Sequence, residues 1–68
     1  MDIDRFENEY VYTKFTQDEL LILNNALNEI CNNLDESEFS VRIGVDIEKA
    51  NKLLHEFHQI FKMIDNLT

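Results

Sequence analysis

Two histidines offer the most distinctive chemistry in this sequence. His55 and His58 lie one helical turn apart, with Glu56 between them. Two imidazoles at that separation can share a metal ion. Their spacing differs from the i, i+4 pair of HExxH zinc sites, and the neighbouring sequence supplies no third ligand. We therefore expect no metal and no cofactor, and we interpret the histidines as part of a polar stripe beside the apolar face of a helix.

Cys31 and Arg42 are the other candidates for chemistry. Cys31 falls on the apolar face of a predicted helix, where a thiol acts as a small hydrophobic side chain. Arg42 can form planar bidentate hydrogen bonds with the carboxylate of Glu36 or Glu38, or can reach a carboxylate of the first helix. Binding of an anionic ligand is the alternative. These residues do not assemble a nucleophile, a base and an orienting group, so we expect that the protein is not an enzyme.

Two long helices must position these side chains. The first is predicted from about Gln17 to Asn33, because Thr16 and Glu19 form a capping-box pattern at its start. The second is predicted to begin after Asp46 as N-cap and to end at about Asn66. Both carry apolar residues at spacings of three and four, which indicates one buried face on each helix.

The segments before and between these helices are shorter. Residues 39–45 alternate like a strand, but Phe39 and Ile43 are also four apart, and we favour a short helix that ends at Gly44 with positive φ. Residues 10–15 are rich in aromatic and β-branched types and predict an extended arm. Residues 1–9 predict a flexible acidic N-terminus, followed by a single helical domain over residues 10–68.

These elements together predict an all-α fold. Its two main helices are expected to be antiparallel, to form a helical hairpin, and to be joined by a short helical or turn segment, with an extended N-terminal arm. Phe39, Arg42 and Gly44 would form the corner between the short segment and the last helix.

The corner resembles a helix-turn-helix motif over residues 36–54. Helix-turn-helix proteins place apolar, small, apolar, glycine and three further apolar residues at the positions that are held here by Phe39, Ser40, Ile43, Gly44, Val45, Ala50 and Leu53. The sequence departs from the motif at Ala50, where a bulkier branched residue is usual, and its second helix is not basic. The resemblance implies that the exposed residues of this helix, from Asp46 to His55, would face the major groove of DNA.

The chain as a whole is similar to small uncharacterised bacterial helical proteins. The similarity lies in a helix of the ELLILNNALNEIC type that is followed by a corner of the EFSVRIGV type. No activity is known to us for such proteins, so the resemblance implies none for this chain.

The charge is uneven along the chain and argues against a nucleic-acid partner. The formal net charge is −8, and all of it lies in residues 1–38, since residues 39–68 are neutral overall. Affinity for nucleic acid depends on neutralising phosphates, which an acidic protein without a basic patch does poorly. The start of the chain lacks a basic leader, and no long apolar run follows, so we expect a cytoplasmic protein with no membrane contact.

The length of the chain predicts a second copy as partner. A domain of 68 residues buries only roughly 60% of its unfolded surface and is marginal alone. A single cysteine cannot form an internal disulfide, which leaves a homodimer as the expected source of stability. The residues expected at the dimer or partner interface are aromatic or aliphatic: Tyr10, Tyr12, Phe15, Phe57, Phe61, Ile64 and Leu67.

These observations predict a small non-enzymatic protein–protein interaction module that acts as a homodimer. The corner keeps open the alternative of a helix-turn-helix DNA-binding regulator. The acidic first half keeps open a third function, an acidic inhibitor of a basic enzyme or of a nucleic-acid-binding protein.

Overall fold

The N-terminal residues fold as a β-hairpin and the remainder as three helices. The computed structural model describes residues 1–67. The elements in chain order are β1 (Asp2–Glu7), β2 (Tyr10–Lys14), α1 (Gln17–Asn33), α2 (Glu36–Ile43) and α3 (Ile47–Leu67). The protein is therefore mixed α/β with three helices, and the predictions of an all-α fold and of a two-helix hairpin are wrong.

The hairpin corrects the prediction for the N-terminus. The expected arm is β2, and it pairs antiparallel with β1, which lies within the segment predicted as a flexible acidic N-terminus. Asn8 and Glu9 join the strands with φ angles of 50° and 75°. Positive φ at both residues of a two-residue loop is typical of the type I′ turn, whose twist matches that of the paired strands.

The start of α1 agrees with the predicted capping box. The hydroxyl of Thr16 accepts a hydrogen bond from the backbone N–H of Glu19 at 3.1 Å, and the Glu19 carboxylate accepts one from the backbone N–H of Thr16 at 2.9 Å. Two backbone donors of the first turn are thereby satisfied. The observed bounds of α1 are those that the sequence predicts.

The segment before Gly44 is a short helix, as favoured for residues 39–45, but it begins earlier in the chain. Residues 36–43 are helical rather than extended, and α2 ends at Gly44 with φ of 93°. The backbone N–H of Gly44 donates to the carbonyl oxygen of Ser40 at 2.9 Å. The side chain of Asp46 then accepts from the backbone N–H of Lys49 at 2.9 Å and caps α3.

The buried core is small and lies where α1 and α2 pack against α3. Phe39 is fully buried, and Ala50 and Leu54 of α3 are the other buried residues of the described chain. Contacts between the hairpin and the helices are sparse. The molecule is accordingly extended, with a radius of gyration of 13.7 Å, compared with about 11 Å for a compact domain of this length.

Candidate interaction surfaces

One face of the hairpin is apolar and exposed. The strand register places Ile3 opposite Thr13 and Phe6 opposite Val11, and directly opposed residues lie on the same side of a sheet. We call Ile3, Phe6, Val11 and Thr13 the apolar face of the hairpin. Phe6 is 74% exposed, so this face has no cover within residues 1–67.

The other face of the hairpin is polar and aromatic. Arg5 lies opposite Tyr12, and Glu7 lies opposite Tyr10. The Arg5 guanidinium carbon is 4.0 Å from the centroid of the Tyr12 ring, a cation–π contact, and its Nε donates to the Glu7 carboxylate at 3.0 Å. Tyr12 remains 41% exposed. The predicted interface residues Tyr10 and Tyr12 therefore lie together on one face, where Arg5 contacts the ring of Tyr12.

A cavity of about 240 Å³ lies where the hairpin meets α1. It is lined by Met1, Phe15, Glu19, Ile22 and Leu23, and it is open to solvent. Phe15, another predicted interface residue, is thus next to α1 and away from the tip of the hairpin. The cavity extends the exposed apolar surface from the hairpin onto the first helix.

The carboxylate of Glu19 is perturbed by its neighbours in this region. The amino group of Met1 forms an ion pair with its carboxylate, and the backbone N–H of Thr16 bonds the same side chain. The ammonium group is the larger cause and the backbone N–H the second, and together they lower the pKa of Glu19 from 4.5 to about 2. The carboxylate therefore stays charged to low pH.

An open groove of about 370 Å³ lies at the corner. Its apolar lining consists of Leu27 from α1, Ile43 and Val45 from the corner, and Ala50 and Leu53 from α3. Lys49, Lys52 and Glu56 also line it. The groove therefore combines apolar side chains with two ammonium groups and one carboxylate.

The far end of α3 is only partly covered. The predicted interface residues Phe57, Phe61 and Ile64 are half-buried, whereas Leu67 is 87% exposed. Ile60 and Met63, which were not predicted as interface residues, are exposed on the same helix. The apolar surface of α3 therefore continues beyond the part of the helix that packs in the core.

The side chains that suggested chemistry belong to no metal-binding cluster in the described residues. His55 contacts Gln59 at 3.3 Å between their Nε2 atoms, and residues 1–67 contain no group of three or more His, Cys, Asp or Glu side chains that could hold a metal ion. Cys31 is half-buried with a free thiol. Arg42 approaches Glu38, one of several partners considered for it, at 3.7 Å between Nε and the carboxylate. Both side chains are exposed, so the pair adds little stability.

Ile3 and Phe6, the residues of β1 on the apolar face, were not among the predicted interface residues. The register shifts between Ile3 and Arg5, so Asp4 is an extra residue in β1. The two apolar residues are therefore three apart, and the period of two that marks a strand is lost. The remaining signal was Asn8, a residue that tolerates positive φ, between two segments that contain aromatic residues.

Comparison with protein-family models, with curated proteins and with solved structures finds no match to this chain. The resemblances described above therefore stand as expectations. In the part of the chain that the structure describes, no helix is both long enough and apolar enough to cross a membrane.

Proposed function

We propose that this protein is a small non-enzymatic protein–protein interaction module that acts as a homodimer. One observation carries the proposal. The chain exposes 5825 Å² of surface, whereas a folded monomer of 8.1 kDa is expected to expose roughly 4,500 Å². The excess is on the order of 1,300 Å² per chain.

This excess matches what a stable dimer removes from water. A standard interface buries about 800 Å² on each partner, and permanent dimers bury more, with a larger apolar share. The exposed residues here include Phe6 of the hairpin, Ile22 of α1 and Met63 of α3. Their burial against a second copy would supply the hydrophobic free energy that a core of three buried residues does not.

The shape of the surface supports binding rather than catalysis. The two cavities described above are open and mostly apolar, while enzymes enclose most of a substrate and converge several polar groups on it. Apolar residues with aromatic anchors and a charged rim are typical of protein interfaces. Lys49, Lys52 and Glu56 line the groove at the corner together with its apolar residues.

Sedimentation equilibrium over a range of concentrations tests the proposal. We expect a dimer at micromolar concentration, and a melting temperature that rises with protein concentration because dimerisation stabilises only the folded chain. A folded monomer with a melting temperature independent of concentration would refute the proposal.

The geometry of the corner favours one second candidate, a DNA-binding regulator. The order α2, glycine turn, α3 is that of a helix-turn-helix motif, and Lys49, Lys52 and His55 are exposed on α3. The charge opposes it, because the same helix exposes Glu48 and the chain has a net charge of −8. Titration with a mixed-sequence DNA duplex at low salt distinguishes the two candidates. A DNA-binding regulator should bind the duplex under these conditions, because non-specific binding is strongest at low salt.

A further inference from the structure

We infer that the second copy binds along the unpaired edge of β2, so that the two hairpins form one four-stranded antiparallel sheet with β1 strands on the outside. The inference rests on the proposed homodimer and specifies its interface.

The first reason is that the hairpin lacks support within one chain. A two-stranded sheet is at best marginally stable in water, while three or more strands with an apolar face can be stable. The hairpin makes only sparse contacts with the helices. Within residues 1–67, β2 pairs with β1 alone, so every second residue of β2 directs its N–H and C=O groups away from the sheet.

The second reason is that the two edges of the hairpin differ. The edge of β1 carries the acidic residues Asp2, Asp4 and Glu7, and its ladder is irregular between Ile3 and Arg5. Charged residues and bulges are the features that protect an edge against pairing. β2 has the sequence YVYTK, with no acidic residue and with types that favour strands.

The third reason is that β2 is complementary to a copy of itself. An antiparallel pair centred on Tyr12 places Tyr12 opposite Tyr12 of the second copy, Val11 opposite Thr13, and Tyr10 opposite Lys14. No like charges face each other, whereas the same pairing of β1 about Asp4 would oppose two carboxylates. Only β2 can therefore pair with itself over its whole length without repulsion.

This arrangement also brings the apolar faces of the two hairpins side by side. A two-fold axis perpendicular to the sheet keeps the apolar faces of both hairpins on one side. Ile3, Phe6 and Val11 of the two copies then form one continuous apolar layer. On the opposite side the two Tyr12 rings become neighbours, each beside its own Arg5.

Cysteine cross-linking tests the register. In a Cys31→Ser background, we would compare Tyr12→Cys with the matched control Asp4→Cys, since both substitutions lie near the middle of a strand of the hairpin. Opposed residues in an antiparallel pair have Cα atoms about 4.5–5.5 Å apart, within the range of a disulfide. We expect mild oxidation of the diluted protein to link most Tyr12→Cys chains as covalent dimers and to leave Asp4→Cys chains unlinked.

The results separate this inference from the proposed function. Dimers in sedimentation that fail to cross-link through Tyr12→Cys, or that cross-link through Asp4→Cys instead, would overturn the inference and leave the homodimer standing. A wild-type protein that sediments as a monomer would overturn both.

A measurement on the wild-type chain covers the possibility that Tyr12→Cys does not fold. A dimer is prepared from equal amounts of differently isotope-labelled chains, and only contacts between copies are recorded by filtered NOE spectroscopy. We expect contacts between Val11 of one copy and Thr13 of the other. Intermolecular contacts confined to α1 and α3 would contradict pairing at β2.

Discussion

Two regions of this small protein contain residues with left-handed backbone conformations. They differ in how much apolar side chain is buried beside those residues within one chain. At the corner, Gly44 adopts φ of 93° and the adjacent helix buries Phe39 completely. At the tip of the hairpin, Asn8 and Glu9 adopt positive φ angles, and no residue of either strand is buried.

The difference lies in what each region requires to be stable. The corner uses glycine where φ is positive, a capping carboxylate at Asp46 and an apolar side chain enclosed by its own helices. The hairpin places Glu9, a residue with a Cβ, in a conformation that favours glycine. The corner is thus stabilised within one chain, whereas the exposed hairpin is the region that the proposed dimer would stabilise.

Substitution of Phe39 should have the largest effect, because it removes the centre of the self-contained region. We expect Phe39→Ala to cost about 3–5 kcal/mol, which approaches the whole stability of about 5 kcal/mol of a marginal domain. Urea denaturation followed by circular dichroism measures the loss. The control is Val41→Ala on the same helix, where the side chain is 84% exposed. Similar stability of the two variants would show that Phe39 is not the centre of the core.

Substitution of Gly44 tests the backbone of the corner separately from its packing. A Cβ at this position would meet no atom within 4 Å, so the effect of Gly44→Ala should come from positive φ alone. We expect a loss of about 1–2 kcal/mol, measured by the same denaturation. Ser40→Ala, an exposed change within α2, is the control that keeps φ negative. If Gly44→Ala were as stable as that control, the left-handed conformation would not be required.

At the tip of the hairpin, we expect a substitution to increase stability rather than to decrease it. Glu9→Gly should stabilise the hairpin by about 0.5–1 kcal/mol, because glycine adopts φ of 75° without the steric cost that a Cβ imposes. Amide hydrogen exchange of the β1 and β2 ladder measures the gain. Asn8→Gly should give a smaller gain, since asparagine already tolerates positive φ. Slower exchange at Asn8→Gly than at Glu9→Gly would contradict the strain assigned to Glu9.

The smallest effect on stability is expected at acid pH. It comes from Glu19, at the junction of the hairpin and α1. The pKa of Glu19 is lowered from 4.5 to about 2, first by the Met1 ammonium group and then by the backbone N–H of Thr16. A lowered pKa adds stability that is complete above about pH 4.5 and is lost as the pH falls through about 2. Glu19→Gln should therefore weaken the decline of stability in this range, as measured by urea denaturation at several pH values.

Acetylation of the Met1 amino group separates the two causes of the Glu19 shift. It removes the positive charge and leaves the capping box at Thr16 in place, so the pKa of Glu19 should rise only part of the way to 4.5. An NMR titration of the Glu19 side chain would show this. An unchanged pKa would mean that the ammonium group does not contact the carboxylate in solution.

The helices could be predicted from the sequence because their signals are local. Thr16 with Glu19, Asp46 and Gly44 lie within a few residues of the ends that they define, and short-range hydrogen bonds fix those ends. For residues 39–45 a short helix was favoured over a strand for a similar reason, since the following glycine marks a helix end. The observed helix begins earlier, at Glu36.

The hairpin could not be predicted in the same way. Its pairing joins residues up to twelve positions apart, and the extra residue Asp4 removes the alternation that marks a strand in the sequence. The aromatic residues Tyr10 and Tyr12 were identified as interface candidates from residue type. Which edge of β2 is left unpaired, however, depends on the side on which β1 pairs with it. Contact residues could therefore be predicted from their types, but the strand edge at which they would make contacts could not.

The irregular ladder between Ile3 and Arg5 has a consequence for assembly. If a sheet grows by adding β2 to β2, both ends of the product present β1, whose carboxylates and bulge resist another strand. Growth of the sheet should stop at two chains, so the protein should not form fibrils by repeated addition of strands. Removing Asp4, and with it both the charge and the extra residue, is then expected to convert a finite complex into one that elongates.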